Sequence, residues 1–306
     1  GTIHKYDWVQ AGGAIKHPEE GKVVDMNKSV REETGVEDAS LKIYPISGYG
    51  NQELLRQLLN IEKPDAILHY TDPRFWEWLY QMEHEVRQNI PIFYYNIWDD
   101  LPYPRYNEFF YESSDLIMNI SKQTVNIVRN VAQKKPRTDW DCTYVPHGIP
   151  EKSFFPIEKM DKKALDFKKS LLHNKEYDFV VFWNNRNIRR KLPSDVIMAY
   201  KYFCDKLPKE KAEKCVLIMH TQPIDQNGTD LPAVVRNICP MYDVIFSHKK
   251  LEEEQLNWLY NIADVQINMA SNEGFGLGTA EAVMAGTPTI VNVTGGLQDQ
   301  CGFKLK

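Results

Sequence analysis

The 306-residue chain is short of several things, and each shortage excludes something. Cysteine is scarce. The five cysteines (Cys142, Cys204, Cys215, Cys239, Cys301) are odd in number and lie far apart without metal-ligand spacing, which excludes a disulfide framework and a zinc cluster and fits reduced, buried thiols in a cytoplasmic protein. No cluster of His, Cys and Asp offers a metal site by spacing. No run approaches the roughly 20 apolar residues of a membrane span. Positive charge is not in excess: 37 Lys and Arg stand against 42 Asp and Glu, a net charge of −5, which argues against a nucleic-acid-binding face while leaving room for a local anion pocket. Internal repeats and low-complexity tracts are also missing.

What is present is an alternation of short β-rich runs with longer amphipathic ones. Strands are expected at 42–46, 66–70, 92–97, 116–120, 143–145, 179–183, 216–220, 244–246, 265–268 and 289–293. Helices are expected at 52–60, 75–88, 122–132, 162–172, 194–207, 251–262 and 279–285. This order predicts an α/β protein of βα repeats with parallel sheets, in about two domains. Three prolines and a glycine in Tyr144-Val-Pro-His-Gly-Ile-Pro-Glu-Lys-Ser-Phe-Phe-Pro156 interrupt any regular element and mark a boundary, giving domains 1–147 and 148–306. The first 41 residues offer no clear first strand. Gly12-Gly13 reads as what is left of a glycine-rich loop, and both domains read as incomplete.

The most informative segment is Glu273-Gly-Phe-Gly-Leu-Gly-Thr-Ala-Glu281, continuing Ala-Val-Met-Ala-Gly286-Thr-Pro288 into a β-branched strand. Two carboxylates stand eight positions apart with three glycines between them. A helix start there presents unpaired N–H groups and a partial positive charge, which suits a phosphate. Gly274, Gly276 and Gly278 permit close approach and unusual backbone angles. Glu281 falls inside the helix, within about two turns of its start, in reach of ligand hydroxyls.

The segment resembles the E-x7-E signature of retaining family-4 glycosyltransferases, which have the GT-B fold. It shares their Glu-Gly-Phe-Gly-Leu opening and Ala-Gly-Thr-Pro close. The resemblance implies two Rossmann-like, doubly wound domains facing across a cleft, the second holding a nucleotide-diphosphate sugar of UDP or GDP type without an obligatory metal or other cofactor. It implies that Glu273 holds a donor-sugar hydroxyl, that the backbone of Gly274, Phe275, Gly276 and Leu277 faces the diphosphate, and that Glu281 holds the ribose. Family members run on past a strand like 289–293, so the resemblance covers most of this chain while the chain spans part of the family fold.

A second constellation follows a hydrophobic strand: Phe179-Val-Val-Phe-Trp-Asn-Asn-Arg186-Asn-Ile-Arg-Arg-Lys191, with four cations in six positions. Cations at a strand end suit a diphosphate, Arg as a planar fork and Lys as a point charge. The family places an Arg and a Lys five positions apart here, and Arg186 and Lys191 match. Asn185 replaces the usual Gly, and Leu192 stands where another Gly is usual. By the same resemblance Ser247 and His248 lie beside the nucleotide base, although a surface turn accounts for His248 equally well.

In the first half, Ile90-Pro-Ile-Phe-Tyr-Tyr-Asn-Ile-Trp-Asp-Asp100 runs from a strand into a polar loop, with Trp98 where the family often has His. Asp99 takes a hydroxyl-binding role or caps the next segment. His69-Tyr-Thr-Asp72 ends another strand. The aromatics of 75–78 and 109–111 read as core, and Asp139-Trp-Asp141 lacks the context of a metal-binding Asp-x-Asp. The expected activity is retaining sugar transfer to an acceptor hydroxyl, with Glu273 and Asp99 as catalytic candidates and Arg186, Lys191, Gly274, Phe275, Gly276, Leu277 and Glu281 as donor ligands. A non-catalytic sugar-nucleotide binder and a glycan phosphorylase or epimerase are the alternatives. The acceptor is a glycan, a lipid or a small molecule; nucleic acid and a transmembrane segment are not expected, and peripheral membrane contact stays open.

Overall fold

The computed structural model of the chain describes residues 6–14, 18–134 and 136–302. These form two compact units. The first takes residues up to 96 together with 104–118 and 128–143; the second takes 97–103, 119–127 and everything from 144 onward. Two stretches of the N-terminal half, 97–103 and 119–127, therefore belong to the second unit.

In the first unit the elements run β1 (Asp7–Ala14), β2 (Val24–Asp25), α1 (Asn27–Thr34), β3 (Ser40–Ser47), α2 (Gln52–Glu62), β4 (Ile67–Tyr70), α3 (Glu77–Gln81), α4 (Glu83–Val86), β5 (Ile92–Asn96), α5 (Glu108–Glu112) and β6 (Leu116–Asn119). α6 (Lys122–Val131) and β7 (Cys142–Tyr144) complete this half. Two sheets result, one of order β1-β3-β2 and one of order β4-β5-β6-β7. The second is packed by Leu79, Tyr80, Met82, Val86, Ile92 and Phe110.

The expectation of no first strand is corrected. β1 pairs in parallel with β3 over eight residues, from Asp7 opposite Ser40 to Ala14 opposite Ser47. Gly12 and Gly13 lie inside that strand. They read as loop because glycine weakens a strand interior, but here both positions are tightly packed: a Cβ on Gly12 would meet Ile43 Cγ2 at 3.1 Å, and one on Gly13 would meet the Gly48 carbonyl at 3.0 Å. The single helix expected at 75–88 is also corrected. Asp72 caps a 3-10 turn over Pro73–Trp76, and the chain leaves helical angles again at Met82. Leu79, Met82 and Val86 keep the spacing of one helical stripe, which is why the stretch reads as a single helix, yet the chain buries them together with Tyr80 from two short helices interrupted at Met82. Phe75 and Phe109, expected in the core, are exposed.

The second unit contains α7 (Lys162–Leu171), β8 (Phe179–Asn184), α8 (Pro193–Asp205), α9 (Lys209–Ala212), β9 (Cys215–His220), α10 (Leu231–Ile238), β10 (Asp243–Ser247), α11 (Glu253–Ile262), β11 (Val265–Asn268), α12 (Leu277–Met284), β12 (Thr289–Val291) and α13 (Gly295–Gln300). Its sheet has the order β10-β9-β8-β11-β12, and every pairing is parallel. Helices cover both faces, which is why β8 and β9 are unbroken apolar runs. On one face Val180, Phe182, Val216 and Ile218 pack against α7, α11 and α12; on the other Val181, Trp183, Leu217 and Met219 pack against α8 and α10. Cys204 and Cys239 belong to this second core, and burial pushes their thiols up to about 12 and about 11, as unreactive groups. Among the described residues no helix is long and apolar enough to cross a membrane. Asp139 and Asp141 pair with Arg129 and Arg137, a structural use of that acidic pair.

The loop after β8 is locked to the loop after β9 by one side chain. The fully buried Asn187 amide donates to the carbonyls of Gln222 (3.3 Å), Pro223 (3.2 Å) and Thr229 (2.6 Å), and its oxygen accepts from Thr229 N–H (3.1 Å). Asn187→Ala leaves these groups without their partner and is expected to lower stability by about 2–3 kcal/mol, read as a lower urea midpoint with an unchanged slope.

Candidate functional site

The parallel sheet of the second unit places the loops after β8 and β11 at the same edge, the C-terminal one, where open α/β sheets bind ligands. From the first loop come Arg190 and Lys191; from the second come Asn272, Glu273 and the glycines that open α12. The path between β11 and α12 is dictated by glycine. Gly276 precedes the first helical residue at φ +90°, and a Cβ there would fall 2.6 Å from Leu297 Cδ2. Gly274 lies against the Ile97 carbonyl, 3.1 Å from where a Cβ would be. Gly295 and Gly296, at the start of α13, press against the same loop: Gly296 N–H donates to the Glu273 carbonyl at 3.0 Å.

This route leaves the N–H groups of Gly274, Phe275, Gly276 and Leu277 without an acceptor among the described residues. The carbonyls are held instead. Gln300 Nε2 donates to Phe275 at 2.6 Å, while the Gly276 carbonyl accepts from Thr279 and Ala280 N–H, both at 3.0 Å. The Phe275 ring meets the edge of His147, with centroids 5.2 Å apart. The eight-residue helix thus begins with several aligned, unpaired donors, the arrangement that favours an anion.

Charged groups surround this helix start. Lys191 and Glu273 form a buried ion pair. Beside them Arg190 Nη1 pairs with Asp99 Oδ2 at 3.0 Å and donates to the Asn272 carbonyl at 2.7 Å. Asn272 Nδ2 in turn donates to Asp100, which ties loop 97–103 to the loop after β11. Burial holds the Lys191 ammonium below its ordinary range, Arg190 adding to the effect and Glu273 opposing it. Burial also raises the Asp99 carboxyl, although Arg190 pulls it down. Trp98 turns its indole N–H to the Asp100 carbonyl at 2.9 Å.

Glu281 lies one turn into α12. Its Oε2 accepts from the Tyr260 hydroxyl at 2.6 Å, and that hydroxyl accepts from Asn184 Nδ2 at 2.8 Å. Burial raises the Glu281 carboxyl, with the Tyr260 bond working the other way. Gly278 fits over this chain: a Cβ would meet the Asn184 carbonyl at 3.1 Å and the Tyr260 hydroxyl at 3.4 Å.

The structure therefore brings together Asp99, Lys191, Glu273 and the backbone of residues 274–277, with Glu281 further along the helix. It does not bring Arg186 to that group. Arg186 is 63% exposed and pairs with Asp225 at 3.0 Å. Arg190 was visible in the sequence as one of four clustered cations, but the family resemblance, through its Arg–Lys spacing, favoured Arg186. Tyr260, Asn184, Gln300 and the Gly295-Gly296 pair were not singled out; the glycine pair just after a strand was the one available signal. Ser247 Oγ bonds His220 Nδ1 at 3.0 Å, and the exposed His248 offers its carbonyl to Gln222 at 3.2 Å.

No family model and no curated protein matches the sequence. Solved structures do match in shape. A trehalose-6-phosphate synthase, OtsA, superposes with a TM-score of 0.70 at 14% identity, covering 98% of this chain and 80% of its own. An E. coli structure described as trehalose-6-phosphate bound with UDP-2-fluoro glucose gives 0.67 at 15%, covering 96% and 80%. Anabaena HepE in complex with UDP and glucose gives 0.64 at 14%, covering 89% and 71%. These likenesses show the fold: α/β units built on sheets that are parallel apart from the short antiparallel β2, of the GT-B type.

The raised Asp99 carboxyl has a consequence for stability. Its folded pKa lies above the unfolded value, so the folded chain binds the extra proton just above the ordinary carboxylate range, and the charged form costs stability at neutral pH. Asp99→Asn is expected to raise Tm at pH 7, with the gain shrinking as pH falls toward about 4. A thermal series across that range reads it, and a gain that grows on acidification contradicts it.

Proposed function

We propose that this chain is a retaining glycosyltransferase of the family-4 kind, moving a sugar from a nucleotide-diphosphate donor to an acceptor hydroxyl without a required metal. The observation that carries this reading is the row of unpaired N–H groups at Gly274–Leu277, set between the Lys191–Glu273 pair and Glu281. The solved structures of like fold that hold UDP with glucose, or UDP-2-fluoro glucose, favour UDP as the carrier.

The reaction's demand is electrostatic. As the bond from sugar to diphosphate breaks, the diphosphate gains negative charge and the sugar ring positive charge. Fixed donors aimed at the diphosphate lower that barrier without reorganising. The backbone of 274–277 supplies dipoles, Lys191 a point charge and Arg190 a planar fork. Glu273, on the same turn, takes a sugar hydroxyl and faces the positive ring. Asp99 takes a second hydroxyl once Arg190 engages phosphate. Glu281, oriented by Tyr260, takes the ribose hydroxyls. With the diphosphate held on the face from which it leaves, an acceptor attacking from that same face gives retention, a donor phosphate oxygen accepting its proton. Trp98, standing where the family often has His, favours a second reading, nucleotide-sugar binding without turnover.

Calorimetry with UDP, GDP and ADP in EDTA tests the site. Wild type is expected to bind UDP, and Lys191→Met to weaken it about 10- to 100-fold, the worth of one charge-assisted contact. Glu281→Gln is expected to weaken UDP but leave inorganic diphosphate unchanged. Arg190→Ala is expected to lose more than Arg186→Ala. Absence of nucleotide binding, or indifference to Lys191→Met, overturns the site. Release of UDP from UDP-glucose, measured on the same protein, separates transferase from binder.

A further inference from the structure

The first unit carries an aromatic feature that the donor site does not use. Tyr49 follows β3 by two residues and Phe75 follows β4 by five, so both stand at C-terminal strand ends. Their rings stack at 4.6 Å and 13°, yet they are 47% and 49% exposed. Exposed rings of this size ordinarily bury their faces, and stacking on each other covers one face of each. The loop holding Tyr49 is fixed. Gly48 and Gly50 sit at φ +62° and +74°, and a Cβ on Gly50 would meet Ile46, Leu54 and Trp78 within 3.5 Å.

Polar groups adjoin the stack. Arg74, the residue before Phe75, grips the Asp72 carboxylate through Nε (3.0 Å) and Nη2 (2.5 Å). Behind it lies His69, only 4% exposed, whose Nδ1 bonds the Tyr80 hydroxyl at 2.6 Å. Its Nε2 has no partner among the described residues, and neither does the buried Nε1 of Trp76. Trp76 links the two regions, 5.7 Å from His69 and 6.5 Å from Tyr49. Such orphaned buried nitrogens call for a ligand or an ordered water.

The chemistry of this patch selects its occupant. Burial pushes His69 down to about 4, so the ring is neutral at pH 7. Arg74 and Asp72 neutralise each other. Among the described residues of this patch none offers net positive charge to a phosphate. An aromatic face flanked by a planar ion pair and neutral nitrogens matches a ring with an apolar C–H face and hydroxyls around its rim.

We infer that Tyr49 and Phe75 form a stacking platform for a neutral sugar ring, with Asp72 and Arg74 positioned for its hydroxyls. Calling that sugar the acceptor rests on the transferase reading above; the binding site itself does not.

Saturation-transfer NMR with maltotriose and methyl α-glucoside on the full chain is the test, alongside UDP calorimetry. Wild type is expected to bind maltotriose, and Tyr49→Ala and Phe75→Ala to bind it about five- to tenfold more weakly, with UDP affinity unchanged. Phe75→Tyr keeps the stacking face and is expected to retain binding, which separates loss of the platform from loss of the fold. Wild type that binds neither sugar, or alanine variants that bind as wild type does, overturns the platform. Binding to phosphatidylglycerol vesicles that depends on Phe75, without sugar binding, assigns the patch to lipid and also overturns it. Sugar binding without UDP binding defeats the transferase reading and leaves the platform standing; UDP turnover without sugar binding does the reverse.

Discussion

Everything at the candidate site depends on how closely two backbones approach each other. A Cβ on Gly295 would lie 1.8 Å from the Glu273 carbonyl, and one on Gly296 would lie 2.6 Å from the Gly274 and Phe275 backbone. Only glycine permits this, and the φ of +45° at Gly295 adds a conformational reason. With α13 pressed in behind, the carbonyls of the loop are engaged from that side and its N–H groups are left over. The row of free donors is thus a product of packing on the opposite face of the same loop.

The same packing sets the electrostatics. Glu273 is carried into a buried position, where a lone carboxylate would be expensive, and Lys191 meets it there. Neither member is a stability device: two charges removed from water gain little net energy even when paired. Arg190 and Asp99 repeat the pattern in a less enclosed setting. Two cations against two carboxylates give a cluster that is nearly neutral by itself and rich in groups able to change partners. Under the proposed function, a dianion at the helix start would draw Lys191 and Arg190 toward itself, leaving Glu273 and Asp99 as acceptors for hydroxyls. Buried charges, with Lys191 lowered and Asp99 raised by burial, are what a binding or catalytic site requires and what a stable core avoids.

The sequence reveals elements whose signal is local. β8 and β9 are apolar on both faces because both faces are covered, and that run is visible without coordinates. The glycines between Glu273 and Glu281 announce a helix start for the same reason. β1 is hidden because Asp7-Trp-Val-Gln-Ala-Gly-Gly-Ala has no alternation; its identity is fixed by β3, which lies 33 residues further on in register. Tyr260 is hidden likewise. As a helical aromatic it reads as core, and it is core, with Phe154 and Phe182 against its ring. Its hydroxyl alone reaches Glu281, and no pattern along the chain encodes that.

Arg186 and Arg190 make the limit concrete. The family resemblance treats the loop after β8 as a ruler, on which Arg186 lies at the family's distance from Lys191. The loop is not straight. Asn187 is anchored to residues 222–229, which turns Arg186 toward Asp225, and the following 3-10 turn at Arg189–Lys191 swings Arg190 and Lys191 together toward the β11 loop. Ser271 N–H then bonds the Arg190 carbonyl at 2.9 Å, fixing that turn to the loop carrying Glu273. The exposed Arg186–Asp225 pair is of the kind worth little in water, so a nearby dianion has enough charge to compete for Arg186. Arg190 is also ion-paired, to Asp99, but it is braced by the Asn272 carbonyl beside Glu273, so it already stands next to the helix start while Arg186 is held away from it.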